Sequence, residues 1–161
     1  MAIISEQFLE SLALKREGVP SFESYPFHLD AVRTLDELPF HPKVTFFVGE
    51  NGSGKSTLLE AIAVKYGFNA EGGSKNFNFS NRASHSVLHE HLTLSRGIRR
   101  PKNSYFLRAE SFFNVATEIE NLDKVVAPGP PVIDSYGGVS LHEQSHGESF
   151  LALVMNVFIV S

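Results

Sequence analysis

Val44-Thr45-Phe46-Phe47-Val48-Gly49-Glu50-Asn51-Gly52-Ser53-Gly54-Lys55-Ser56-Thr57, followed by Leu58-Leu59-Glu60-Ala61-Ile62-Ala63, decides how this chain is read. Residues 44–48 form a continuous, β-rich, mostly apolar run. Such a run predicts a strand buried on both faces of a parallel sheet. The glycines follow at once, and a helix is expected from Lys55 to Tyr66. That helix carries Leu58, Leu59, Ile62, Ala63 and Tyr66 on one stripe, with Gly67 as its C-terminal stop. Gly49, Gly54, Lys55 and Ser56 fill the fixed positions of the spacing G-x-x-x-x-G-K-[ST].

The spacing has a physical purpose. Glycines let the backbone curl so that successive N–H groups point into one hollow, a nest for anionic oxygens. The helix starting near Lys55 adds the positive end of its dipole there. In such a loop Lys55 reaches the β- and γ-phosphates as a point charge, and Ser56 offers its hydroxyl to magnesium. Thr57 stands next to it, at the α-phosphate. A strand before and an amphipathic helix after are the context that separates a P-loop from a chance glycine turn. The expected ligand is a nucleoside triphosphate, ATP with magnesium.

Working outward, residues 5–16 read as a short amphipathic helix with Phe8, Leu9, Leu12 and Leu14 apolar, peripheral within about 1–20. Tyr25, Phe27 and Leu29 alternate as an edge strand, demoted by Pro26. Residues 31–38 read as a helical turn or a connection, and 69–82 as a loop. A helix is expected over 85–94, a second core strand over 105–109 and a helix over 112–122. Residues 127–138 are turn chemistry. The last element, 148–158, is read as a helix with Phe150, Leu151, Val154, Met155 and Phe158 on one face. Strands alternating with helices argue for an α/β three-layer sandwich forming one domain over 1–161.

Composition excludes more than it selects. With 42% hydrophobic and 20% charged residues the chain is an ordinary globular sequence, long enough to bury a core. A net charge of −4 gives no global attraction to nucleic acid or an anionic membrane. With no cysteine, disulfides, thiolate metal sites and thiol catalysis are excluded, which fits a reducing cytoplasm. No run approaches the length of a membrane span, and the start lacks the pattern of a signal peptide. His85, His89 and His91 hold an i, i+4-like spacing but read best as a polar helix face. Arg96, Arg99, Arg100 and Lys102 form the one basic cluster, a weak candidate for a phosphodiester backbone.

Within the general pattern, Gly49 to Thr57 resembles the P-loop of ABC-type and SMC-like ATPases. Gln144-Ser145-His146-Gly147-Glu148-Ser149 looks like a divergent form of their signature sequence, and the wording around both sites is similar to small stand-alone bacterial AAA-family ATPases. The resemblance implies a partial ABC-like sheet and ATP hydrolysis in the complete family. It also implies an ATP-dependent homodimer in which Ser145 and Gly147 meet the γ-phosphate held by the second protomer. Glu148 stands at the family's Gln/Glu position, and His146 replaces a glycine. Ser145-x-x-Glu148 is equally a capping box for an ordinary helix. By the same resemblance Glu110 is a weak catalytic candidate, at the place of a glutamine that touches magnesium and water. By the same resemblance Tyr25 and Phe27 are candidates for the aromatic that stacks on adenine in transporter ATPases, though core packing is the preferred reading of both. The family's apolar strand ending Asp-Glu is not found after the signature, so the sequence reads as an ATPase truncated before that strand. The other readings are a nucleotide-binding module without turnover and a DNA-associated ATPase.

Overall fold

The computed structural model describes residues 7–74, 86–108, 112–124 and 128–158. In chain order the elements are β1 (Leu9–Leu14), α1 (Asp30–Arg33), β2 (Glu37–Pro39), α2 (Lys55–Tyr66), β3 (Gly73–Ser74), β4 (Leu92–Arg96), β5 (Tyr105–Phe106), α3 (Phe112–Lys124) and α4 (His146–Leu153). The fold is mixed α/β with small antiparallel sheets, in two compact units: residues 1–70 with 82–102, and residues 71–81 with 103–161.

In the first unit β1 lies between β2 and β4, antiparallel to both. This corrects the helix expected over 5–16. Leu9 and Leu12 fit a helical stripe, but Leu12 and Leu14 also fit the strand period of two, and these two are the buried pair. Pairing on both edges decides the contest, because strand preference is set by neighbours more than by the backbone. The helix expected over 85–94 likewise becomes a 3-10 turn at Val87–His91 and then β4, whose Leu92 and Leu94 stand opposite Leu14 and Leu12. The edge strand expected at 25–29 is a turn, with the Phe27 and His28 N–H groups donating to the Ser24 carbonyl at 2.8 and 3.1 Å. Leu12, Phe27, Val32, Leu58, Ile62, Leu88 and Leu92 form one apolar core under the sheet.

α2 forms where the sequence puts it. Gly67 at φ 107° ends it, its N–H returning to the Ala63 and Val64 carbonyls. Leu58, Ala61, Ile62, Ala63 and Tyr66 are buried, whereas Leu59, assigned to the same stripe, is exposed.

The segment 44–48 departs most from expectation. It alternates as a strand would, Thr45 and Phe47 half-buried and Val44, Phe46 and Val48 exposed, but no strand pairs with it among the described residues. Its inner face is covered by the unit's core, where Phe47 packs, and its outer face is not: Phe46 is 83% exposed and Val48 91%. Parallel pairing is not seen among the described residues. Exposed apolar side chains on an unpaired extended segment favour self-association. Phe46→Ser with Val48→Thr should therefore raise the concentration at which the protein stays monodisperse in size-exclusion chromatography. An unchanged aggregation threshold would contradict this.

The second unit packs Phe112, Ala116 and Ile119 of α3 against Tyr136, Leu141 and Leu153. Phe112 stacks on Phe150 at 4.6 Å, and the Asp123 carboxylate accepts from the N–H groups of Val132 and Ile133. The final helix starts at His146 and widens into a π-helical turn at Val154–Phe158. Among its described side chains Ser149 and Leu153 are buried, while Leu151, Val154 and Met155 are exposed, so that part of the face predicted for it is rotated. β5 spans Tyr105–Phe106 of the strand expected over 105–109, whose Ala109 lies outside the described residues.

Candidate phosphate-binding site

The loop leaves residues 44–48 and closes onto α2 through two left-handed glycines, Gly52 at φ 82° and Gly54 at φ 97°. A side chain at either is strained. At Gly54 a Cβ would also lie 3.0 Å from the Leu29 Cβ, so this glycine serves both the turn and a close approach. The Ala31 N–H donates to the Ser53 carbonyl at 3.1 Å, fastening the loop to the start of α1. Leu29 and Ala31 are supporting residues that the sequence reading missed, because it placed Leu29 in an edge strand and Ala31 in a helical turn or connection, neither of which points to the loop.

The first helical bond runs from the Leu58 N–H to the Gly54 carbonyl at 2.9 Å, which leaves the N–H groups of Lys55, Ser56 and Thr57 without a backbone acceptor. Gly54 is the N-cap and supplies no side-chain acceptor. The positive end of a 12-residue helix is thus unblocked. Lys55 arches back over the loop, its Nζ donating to the Gly49 carbonyl at 2.8 Å and the Glu50 carbonyl at 2.6 Å. This holds the ammonium at the mouth of the nest. A cavity of about 340 Å³ opens here, lined by Asn51, Gly52, Gly54, Lys55, Ser56 and Thr57 of the loop together with Tyr25 and Leu29. The donors are those a polyphosphate requires, and the Ser56 hydroxyl beside them fits a magnesium ligand.

Of the two aromatics considered for a base, Phe27 is core, at 1% exposure. Tyr25 is not: it is 61% exposed and lines the cavity, which corrects the core assignment made for it.

The signature-like stretch lies in the second unit. Ser145 caps α4 in a complete capping box. Its Oγ accepts from the Glu148 N–H at 3.4 Å, and the Glu148 carboxylate accepts from the Ser145 N–H at 2.9 Å and its hydroxyl at 2.6 Å. The hydroxyl and N–H of Ser145 hold the Glu148 carboxyl below its usual range. Gly147 is exposed, and a Cβ on it would meet nothing within 4 Å. Glu110 lies outside the described residues, as does His85. His89 Nδ1 is 3.0 Å from the Ser86 carbonyl and His91 packs edge-on against Phe27, so neither faces a ligand cluster, and no metal-binding group of His, Asp or Glu occurs among the described residues. In the basic cluster, Arg96 is tied down by the Lys65 carbonyl at 2.9 Å and the Tyr66 ring at 4.6 Å, while Arg99, Arg100 and Lys102 are exposed. Among the described residues no helix is long and apolar enough to cross a membrane.

A mixed α/β unit whose glycine loop closes onto an open helix N-terminus is compatible with the α/β nucleotide-binding class. Within that class the family model described as an AAA domain matches residues 21–121, more than half of the chain, and the chain belongs to that family. Neither the curated proteins nor the solved structures give a match.

Proposed function

We propose that this chain binds the triphosphate of ATP with magnesium in the loop Gly49–Thr57. The observation that carries the reading is the loop itself. Two left-handed glycines, three helix N–H groups without acceptors and the Lys55 ammonium converge on one cavity. Fixed dipoles at the helix start and one cation beside them favour a polyanion there. Gly49, Gly52 and Gly54 shape the turn. Glu50, Asn51 and Ser53 contribute backbone, Lys55 supplies charge, and Ser56 would hold magnesium with Thr57 beside it. When bound, magnesium offsets phosphate charge. Membership of the AAA domain family supports nucleotide use and ATPase-like chemistry. Isothermal titration with magnesium–ATP is the test, with saturable binding expected; absence of heat at millimolar nucleotide would overturn the assignment.

The finer reading is ABC-type or SMC-like, in which Ser145, Gly147 and Glu148 of one protomer complete the site of another. Its support is the sequence resemblance together with an exposed Gly147 beside the α4 N-terminus. A ligand that supplies part of an interface drives association by mass action. Magnesium–ATP should thus shift the light-scattering mass from monomer toward dimer. Gly147→Arg should abolish the shift and still fold, because its surroundings are open. A monomeric mass at high protein and nucleotide concentrations leaves the stretch as a helix cap alone.

A further inference from the structure

We infer that the turn after β4, residues 96–102 with Phe8 beside it, is a contact site for anionic lipid headgroups, by which the first unit rests on a negatively charged membrane surface without crossing it.

Charge is segregated in the sequence. Residues 96–102 hold four of the 14 Lys and Arg and none of the 18 Asp and Glu, in a chain whose net charge is −4. The structure fixes what this turn presents. Leu9 of β1 stands opposite Arg96, and the Gly97 N–H donates to the Phe8 carbonyl at 3.2 Å. A Cβ on Gly97 would lie 1.7 Å from the Gln7 carbonyl oxygen, so the turn passes β1 at a distance that only glycine permits. The Arg96 guanidinium turns back to the Lys65 carbonyl at 2.9 Å and the Tyr66 ring at 4.6 Å, anchoring the base of the turn. Beyond that base Ile98 is 80% exposed, and Arg99, Arg100 and Lys102 are exposed with it. Phe8, at the same end of the sheet, is 47% exposed.

A single exposed Ile or Phe is ordinary on a folded surface. Cations and apolar side chains held together select the partner. A phosphodiester backbone would use the cations and leave Ile98, which has no π-face to stack on a base, without a role. A stable protein interface takes roughly 20 residues or more a side, and the turn has seven. An anionic bilayer uses every part. Its headgroups take the three exposed charges, whose apolar stems lie along the boundary, while Ile98 and Phe8 reach the edge of the acyl layer. A contact of this size is weak and reversible, far from the hold of a lipid anchor.

Flotation of the full chain, without nucleotide, on vesicles of phosphatidylcholine alone or with about 30% phosphatidylserine tests this. Binding is expected to the anionic vesicles at millimolar lipid and not to the neutral ones, and it should fall as salt is raised to about 0.5 M. Arg99→Ala with Arg100→Ala should weaken it by about tenfold or more. Ile98→Ser should weaken it by about fivefold. All these side chains are exposed, so the variants should keep the wild-type circular dichroism spectrum. Equal flotation on neutral vesicles, no flotation on anionic ones, or full binding by Ile98→Ser overturns the proposal. Binding of a single-stranded oligonucleotide in place of vesicles, lost in the arginine double variant, would make the turn a nucleic-acid site and overturn it too.

Discussion

Lys55→Ala should weaken magnesium–ATP binding by at least about a hundredfold while leaving the fold intact, because a charge-assisted contact to phosphate in a partly desolvated nest contributes a few kcal/mol. The bonds from Lys55 Nζ run to the Gly49 and Glu50 carbonyls, both within the loop, and none reaches the apolar core. Alanine is moreover the best helix former at the first position of α2. The circular dichroism spectrum and thermal midpoint should stay close to wild type, which separates lost charge from lost structure. Lys55→Arg should rescue little, since a planar fork does not replace a compact ammonium in a closed loop. Wild-type affinity in Lys55→Ala would refute the phosphate assignment.

The second large effect is on turnover. Phosphoryl transfer to water needs a held metal, an oriented water and a group to take its proton. The cavity supplies the proposed cradle, but among the described residues none that lines it is a carboxylate or a histidine. Glu50 lies in the loop, exposed and outside that lining, with its carbonyl engaged by Lys55. The 161-residue chain should therefore bind ATP but release phosphate more slowly than about 0.1 per second, well under the usual range of enzyme turnover. Malachite-green phosphate release, with Lys55→Ala as background, is the measurement. A faster rate that depends on Lys55 would show that a residue outside the cavity lining acts as the base. A rate at background with intact binding would favour a nucleotide-binding module without turnover.

Local and long-range features of the chain differ in how far they could be read from the sequence. α2 and its Gly67 stop follow from the spacing of apolar residues and one left-handed position, both local properties of the chain. The phosphate loop is local too: its donors are neighbouring backbone groups, and its shape depends on glycines at fixed offsets. The capping box at Ser145 and Glu148 is likewise contained in four residues. Strand assignments fared worse because they depend on partners far away in sequence. β1 became a strand through β4, some eighty residues later, and the run 44–48 has the composition of a buried strand without a partner among the described residues.

What the sequence determined by itself, then, is the glycine loop: where its left-handed turns fall, which lysine spans it and where the helix behind it ends. The tertiary structure alone decided which apolar residues are core and which are surface. It buried Leu12 and Phe27, exposed Phe46, Val48 and Leu59, and set Tyr25 on the wall of the cavity. The difference has one cause. A loop's hydrogen-bond geometry is closed within a few residues, whereas burial depends on what other segments bring alongside, and periodicity cannot say which face they will cover.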